Sequence, residues 1–400
     1  MGWFLSTNLS LQRVLFTGGR SPATLALLRL FAAHGTRAYV AESIPFNLAG
    51  ASRFCQKSLK VPPPAQESAA FVATLEQYLK EYRIELLIPT CEEVFYVSRW
   101  KQTLEKHCEV FTSTIDVLTN LHSKYQFVQI LGGLKLAAPE TVRVETSTQL
   151  EAALAEYPQY VLKAEFSRFS SHVLINQPVE RALTEVQPSP EQAWVVQRFL
   201  PGQQFCSYTV ARAGKIRAHC VYASVHCVGQ GSTIYFESVT VPEIEQIVAK
   251  IVDGLDYTGQ IAFDFIYSEG RYWPIECNPR ATTGTLLFEP QDGLSQAFAP
   301  GDAGPVHRPG GDRNRMVAFA MWLFAMPQVR SLTAFQALWA EMQQADDAVF
   351  RFDDLQPFWA QFQLMFETWR RSRKHKTDLL SASTLDIEWN GHWPKQRSAV

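Results

Sequence analysis

The sequence predicts an α/β domain with a parallel sheet, then an α+β domain, then a mainly helical C-terminal extension. Three observations carry this expectation. Short apolar runs alternate with helix-length segments from Arg13 to about Thr114. Beyond Leu118 several strand-like runs follow one another in a mixed pattern. After a Gly/Pro-rich stretch from Gly301 to Gly311, the chain turns helical and aromatic as far as Trp369. A chain of 400 residues exceeds what one hydrophobic core usually organises. The divisions are expected at 1–117, 118–300 and 301–400.

RVLFTGG, starting at Arg13, reads as a buried strand ending in a glycine turn. Ser21 to His34 reads as a helix, with Ser21 as cap, Pro22 at the first position and Gly35 where helices commonly stop. RAYVAES is a second strand, ELLIPT a third after a helix at Glu67–Tyr82, and EVFTST a fourth after another helix. This alternation implies a parallel sheet with helices on its faces. Gly18 and Gly19 close the first strand, where open α/β sheets bind ligands. No G-x-G-x-x-G accompanies them, so a tight turn and a binding loop both stay open. Cys91-Glu92-Glu93 ends the third strand in the same way. Glu92 or Glu93 either binds an amine or hydroxylated acceptor or favours a helix dipole.

In the second domain a helix carrying Lys124 ends at Gly132-Gly133. TVRVET, a helix at Gln149–Tyr157, YVLKAE, a polar stretch, WVVQRFL, FCSYTVAR and KIRAHCVYASV follow. A helix from Pro242 to Gly254 precedes the pair QIAFDFIY and RYWPIECN.

Lys plus Arg total 37 and Asp plus Glu 39, a formal charge of −2. That gives no electrostatic reason to expect nucleic acid or an anionic membrane as partner. The basic run Arg370, Arg371, Arg373, Lys374 and Lys376 reads as a helix end or solvated face. Seven scattered cysteines without C-x-x-C point to reduced thiols in the cytoplasm, against a disulfide framework or structural zinc. His219-Cys220 and His226-Cys227 are spaced like strand residues, and His226 is a candidate for an acceptor pocket. The longest apolar run, Met316 to Met326, is shorter than the roughly 20 residues a membrane span needs and reads as a buried helix. The N-terminus shows no signal-peptide pattern.

The chemistry concentrates in residues 259–280, GQIAFDFIYSEGRYWPIECNPR. Two strand-like runs flank Ser268-Glu269-Gly270, so a hairpin is expected. Glu276 and Asn278, two apart, share a face of an extended strand. Asp264 joins them only if the pairing parity allows it. A two-residue turn alone puts Asp264 and Glu276 on opposite faces. An odd-length loop, Ser268 to Gly270, or a bulge puts them on one face, as diagonal neighbours in the three-residue case. Two carboxylates and an amide oxygen are hard ligands suited to Mg²⁺ with phosphate oxygens completing the octahedron. Arg280, beyond Pro279, offers a fork of donors to a phosphoryl or carboxylate group.

IECNPR resembles the E-x-N-x-R signature of ATP-grasp enzymes, with Asp264 where that family has its upstream acidic metal ligand. Lys124 in LHSKYQF is similar to the family's first nucleotide lysine, before the Pro139-Glu140-Thr141 strand. Lys163 in YVLKAEF is similar to the second. Gln197, Arg198, Phe199 and Leu200, then Pro201-Gly202, look like the hinge along the adenine, which uses main-chain groups of Arg198 to Leu200. Gln204 falls at the ribose position, where the family often has an acid. The phosphate-covering loop is usually glycine-rich, whereas Ala164 to His172 has no glycine; Arg168, Ser170 and Ser171 would supply side-chain donors instead. The resemblance spans about residues 13 to 290 and implies a two-lobed grasp domain behind an α/β domain.

It also implies ATP with Mg²⁺, in two ions that Mn²⁺ can replace, and an ADP-forming carboxylate–amine ligase in which Lys163 and Arg280 act on the transferring phosphoryl group. Small-molecule acceptor and amine co-substrates are expected, with a homodimer allowed. A small-molecule kinase and a non-catalytic ATP-binding protein are the alternatives. An enol oxygen could replace the carboxylate. The aromatic extension, including Asp353, Asp354, Trp359 and Trp369, either closes over the acceptor or forms a dimer contact.

Overall fold

The computed structural model describes residues 11–167, 173–228, 232–301 and 304–393. The N-terminal sheet is parallel and runs β3-β2-β1-β4-β5, from β1 (Arg13–Thr17), β2 (Arg37–Glu42), β3 (Cys55–Lys60), β4 (Leu86–Ile88) and β5 (Glu109–Val110). Val14, Leu15 and Phe16 are fully buried because the central strand is covered on both faces. The helix Pro22–Ala33 starts where expected, its Ser21 hydroxyl accepting from the Ala23 N–H. Strand β3 was not expected. CQKSLK is polar because it lies at the sheet edge, where lysines discourage further pairing.

A small antiparallel sheet follows, ordered β6-β9-β7-β8, from β6 (Thr141–Val144), β7 (Tyr160–Ala164), β8 (Val173–Ile175) and β9 (Trp194–Arg198). A seven-stranded sheet then runs β14-β13-β10-β11-β12-β15-β16. Its strands are β10 (Gln203–Arg212), β11 (Lys215–Val228), β12 (Ser232–Val239), β13 (Gly259–Ser268), β14 (Arg271–Asn278), β15 (Asn314–Met316) and β16 (Asp346–Asp347). The last two belong to the C-terminal stretch, so the large sheet continues across residue 300. Helices Lys124–Gly133 and Pro242–Gly254 cover one face, with Phe127 stacked on Phe263.

MVAFAMWLFAM is not the buried helix expected. It begins as strand β15 and continues as short, irregular helical turns, with Trp322 half exposed. The basic run ends the helix Gln356–His375: Arg373 and Lys374 stand in its last turn, where cations suit the helix dipole, and Lys376 is its C-cap. No helix among the described residues is long and apolar enough to cross a membrane, and none of the cysteines forms a disulfide.

Two ion-pair clusters fasten the C-terminal stretch to the N-terminal domain. Arg29 bonds Asp354 at 2.9 Å, both buried. Arg20 bonds Glu42 and Asp386, each at 2.6 Å.

His219 is buried in the large sheet, its Nδ1 2.9 Å from the Thr209 hydroxyl. Burial and the charge of Arg308 lower its pKa to about 3. His122 sits among Phe95, Phe166 and Trp389 and is lowered to about 4, chiefly by burial. Between these values and the ordinary 6.5, the unfolded chain binds more protons than the folded one. Stability is therefore whole above pH 6.5 and lost as pH falls, by about 1.4 kcal/mol per pH unit for each histidine. Melting curves between pH 7.5 and 5 are expected to show this slope, with His219→Leu removing about half of it.

Candidate active site

The hairpin β13–β14 turns on Glu269-Gly270 alone, with φ of 53° and 75°, and Ser268 pairs with Arg271. Both positive φ values suit the two-residue turn of a right-twisted hairpin. By parity this turn would separate Asp264 from Glu276. A bulge restores them to one face: Phe265 pairs with Pro274, Ile275 is skipped, and Asp264 lies directly opposite Glu276. The bulge follows Pro274, which has no N–H to give the ladder. The expected bulge is therefore present, without the three-residue loop, and the carboxylates are direct rather than diagonal neighbours.

Asn278 shares this face, and its Nδ2 donates to Asp264 Oδ2 at 3.3 Å. Its Oδ1 accepts from an Arg280 Nη at 2.9 Å. Arg280 Nε donates to Glu92 Oε1 at 2.7 Å, tying the N-terminal domain to the hairpin. Burial and the neighbouring Glu276 charge raise the Asp264 pKa. Glu276 is lowered instead: burial would raise it, but Lys124, Lys163, His122 and Arg280 outweigh that. Among the described residues no three His, Cys, Asp or Glu side chains gather as a complete metal site. The donor set present is this acidic pair with one amide oxygen. It fits Mg²⁺ with phosphate oxygens and water in the remaining positions.

Lys124 starts its helix behind the Ser123 cap, which accepts from the Gln126 N–H. It is buried, with Nζ 3.2 Å from the Ser167 carbonyl and 3.6 Å from Glu276 Oε1. Lys163, at the end of β7, donates to Gln197 Oε1 at 3.2 Å, and Gln197 donates to the Thr141 hydroxyl at 3.0 Å. Burial and the charge of Lys124 lower the Lys163 pKa despite Glu276 and Asp264 nearby.

Two cavities meet here. The first, about 200 Å³, lies between the small and large sheets. Val161, Lys163 and Ile175 face Ile266, Ile275 and Glu276 across it, and Gln197 to Leu200 with Gln204 form its edge. The bulged Ile275 thus forms part of its wall. Gly202 is needed beside it, since a Cβ there would come 2.0 Å from the Tyr267 carbonyl oxygen. The Arg198 guanidinium is turned away onto Glu269 and Trp273. The Arg198 and Phe199 N–H groups are committed to the Glu140 and Gln159 carbonyls. The second cavity, about 460 Å³, is bounded by the start of the Pro22 helix, Asn278 to Thr283 and the C-terminal helices. Both cavities are lined by Cys206, Thr233, Asp264 and Glu276.

Other expected residues lie elsewhere. Gly18 has φ of 75°, and a Cβ there would meet Thr90, Cys91 and Glu93 within 3 Å. With Gly19, it serves the turn and lines neither cavity. Glu93 faces inward, accepting from Thr17, Thr90 and Cys91. His226 bonds Glu341 and also lines neither cavity, because its side chain is committed to the C-terminal helix Leu332–Gln343. Arg168, Ser170 and Ser171 lie outside the described residues. Sequence reasoning missed Cys206, which pairs with Asp264 across β10 and β13. It also missed Tyr222, Gln361, Leu364 and Thr384, which line the second cavity. Only the strand pairing or the docking of the extension could have revealed them.

Residues 121–284 match the family model described as ATP-grasp domain. No curated protein sequence matches the chain. Among solved structures, it is similar to L-amino acid ligase from Bacillus licheniformis at 14% identity and TM-score 0.54, over 71% of this chain and 68% of that one. Phosphoribosylamine–glycine ligase from Thermotoga maritima matches at 17% identity and TM-score 0.58, over 76% and 80%. The biotin carboxylase domain of 2-oxoglutarate carboxylase from Hydrogenobacter thermophilus, with magnesium ADP and bicarbonate, matches at 13% and 0.59, over 76% and 74%. Residues 121–284 thus match an ATP-grasp domain, set behind a parallel-sheet domain, and the chain shares the fold of these solved structures.

Proposed function

We propose that the protein is an ADP-forming ligase that phosphorylates a carboxylate oxygen and couples the activated acid to an amine such as an amino acid. The observation that carries this reading is the convergence of Asp264, Glu276, Asn278, Lys124 and Lys163 where the two cavities meet. ATP would occupy the smaller cavity, its adenine against the main chain at Leu200 and its phosphates toward Lys124 and Lys163. Asp264, Glu276 and Asn278 would hold magnesium, as two ions replaceable by manganese, whose charge offsets that of the phosphates.

The acceptor carboxylate oxygen attacks the γ-phosphorus, the bond to the β,γ-bridging oxygen breaks, and ADP leaves with the electron pair. The amine then attacks the acyl carbon, loses a proton, and phosphate departs. Arg280 steadies the transferring group. Glu92, Asn278 and the Ala281 carbonyl engage one N–H on each of its three nitrogens, which leaves two of its five donors for that task. Lys163 supplies charge that phosphoryl transfer needs more than covalent help. We assign the α/β domain to 1–117, the grasp domain to 118–300 and the extension to 301–400, whose β15 and β16 complete the grasp domain's large sheet, in a cytoplasmic protein with small-molecule partners.

The test is ADP release with Mg·ATP, amino acids and a panel of acids. Turnover that needs both an acid and an amine is expected. A phosphorylated acid that accumulates without amine would make the protein a kinase. Failure to bind Mg·ATP in calorimetry would remove the nucleotide site itself.

A further inference from the structure

We infer that the acceptor is a carboxylic acid with an uncharged, apolar body, bound in the larger cavity with its carboxylate at the junction. The inference rests on the ligase reading and narrows it to a substrate class. The cavity, about 460 Å³, falls in the range of small-molecule pockets. Among the described residues its charged lining residues are Arg20, Asp264, Glu276 and Arg280. The last three stand at or beside the junction, where an acid's carboxylate would meet the γ-phosphoryl group. Arg20 is already matched by Glu42 and Asp386 and by the Ser383 carbonyl.

Away from the junction the described wall is largely apolar and, beyond the already matched Arg20, uncharged. Phe319, Phe324, Leu364, Met365, Leu380 and Ile387 form it, with the neutral Gln361, Thr368 and Thr384 between them. A second charge on the substrate would be buried there without a partner. A hydrocarbon or aromatic body would instead bury apolar surface, tightening binding about fourfold per methylene. Leu364, Met365 and Thr368 come from the inner side of the helix Gln356–His375, so the C-terminal extension helps set acceptor choice. The outer side of that helix leaves Trp359 and Trp369 exposed.

The experiment uses the full chain with Mg²⁺ and a non-hydrolysable ATP analogue, titrated calorimetrically with acids of graded chain length and with dicarboxylic acids of matched size. ADP release is measured with the same acids and one fixed amine, then with varied amines. Kd and KM are expected to fall about fourfold per methylene until the cavity fills, and dicarboxylic acids are expected to bind at least tenfold more weakly. Met365→Arg should reverse that preference. Leu380→Ala, the milder variant, should move the optimum to longer acids. Equal or tighter use of polar acids overturns the proposal, as does selectivity that follows the amine's side chain rather than the acid's. Binding of the nucleotide without binding or turnover of any apolar acid overturns it while leaving the nucleotide site standing. Absence of nucleotide binding overturns the ligase reading first.

Discussion

Glu276→Gln is expected to lower the rate of ADP formation about a thousandfold while the protein stays folded. The carboxylate faces Asp264 across the hairpin and lies 3.6 Å from Lys124 Nζ. Glutamine keeps the shape and removes the charge, so a cation would lose one of its two anionic ligands. Charge stabilisation at a preorganised site is commonly worth two to three powers of ten in rate. Steady-state ADP release and calorimetric Mg·ATP binding separate the two consequences. Weakened magnesium dependence with an unchanged melting temperature is the expected signature. Full activity in this variant would exclude Glu276 as a metal ligand.

Asp386→Asn is expected to cost about 3–5 kcal/mol, because it leaves the buried Arg20 short of one of its two carboxylates. Asp386 also bonds the Ser43 hydroxyl and Arg371, so one side chain joins the C-terminal stretch to β2's end and to the last long helix. Burial alone would raise its pKa, but Arg20, Arg371 and Ser43 hold it well below the usual carboxylate range. Its contribution is therefore present above the unfolded value near 4 and is lost as pH falls below it. A drop in melting temperature of roughly 4–6 °C is the expected reading. A pH series should show the wild type losing its advantage over the variant in acid. Equal melting temperatures at neutral pH would show that the cluster contributes nothing net.

Much of the frame was legible because it is written in apolar periodicity and caps. Ser21-Pro22 marked a helix start, and the run from Val14 to Phe16 marked a strand buried on both faces. Strand β3 escaped because edge strands are polar, and β12 escaped although its alternation is visible in hindsight in STIYFESV. The face that carries Asp264, Glu276 and Asn278 was legible down to its parity problem. The two lysines, far apart in sequence, followed from the family's order of motifs. The larger cavity was not legible. Its wall joins residues near 22, 222, 280, 319, 364 and 387, and no local pattern announces which distant helix will cover a sheet.

The bulge at Ile275 has a consequence for how this hairpin can change length. While the bulge is kept, every strand residue added or removed elsewhere between Asp264 and Glu276 inverts the direction of all side chains beyond it. The site therefore has a phase. Such changes counted in twos leave both carboxylates facing the lysines, whereas a single one outside the bulge turns one of them toward the helices behind the sheet. Ile275 is the odd residue, left without a partner between the pairs Phe265–Pro274 and Asp264–Glu276. Loss of Ile275 itself is the exception: the pairs Phe265–Pro274 and Asp264–Glu276 would become consecutive in a regular ladder, the carboxylates would stay opposite one another, and what would go is part of the smaller cavity's wall.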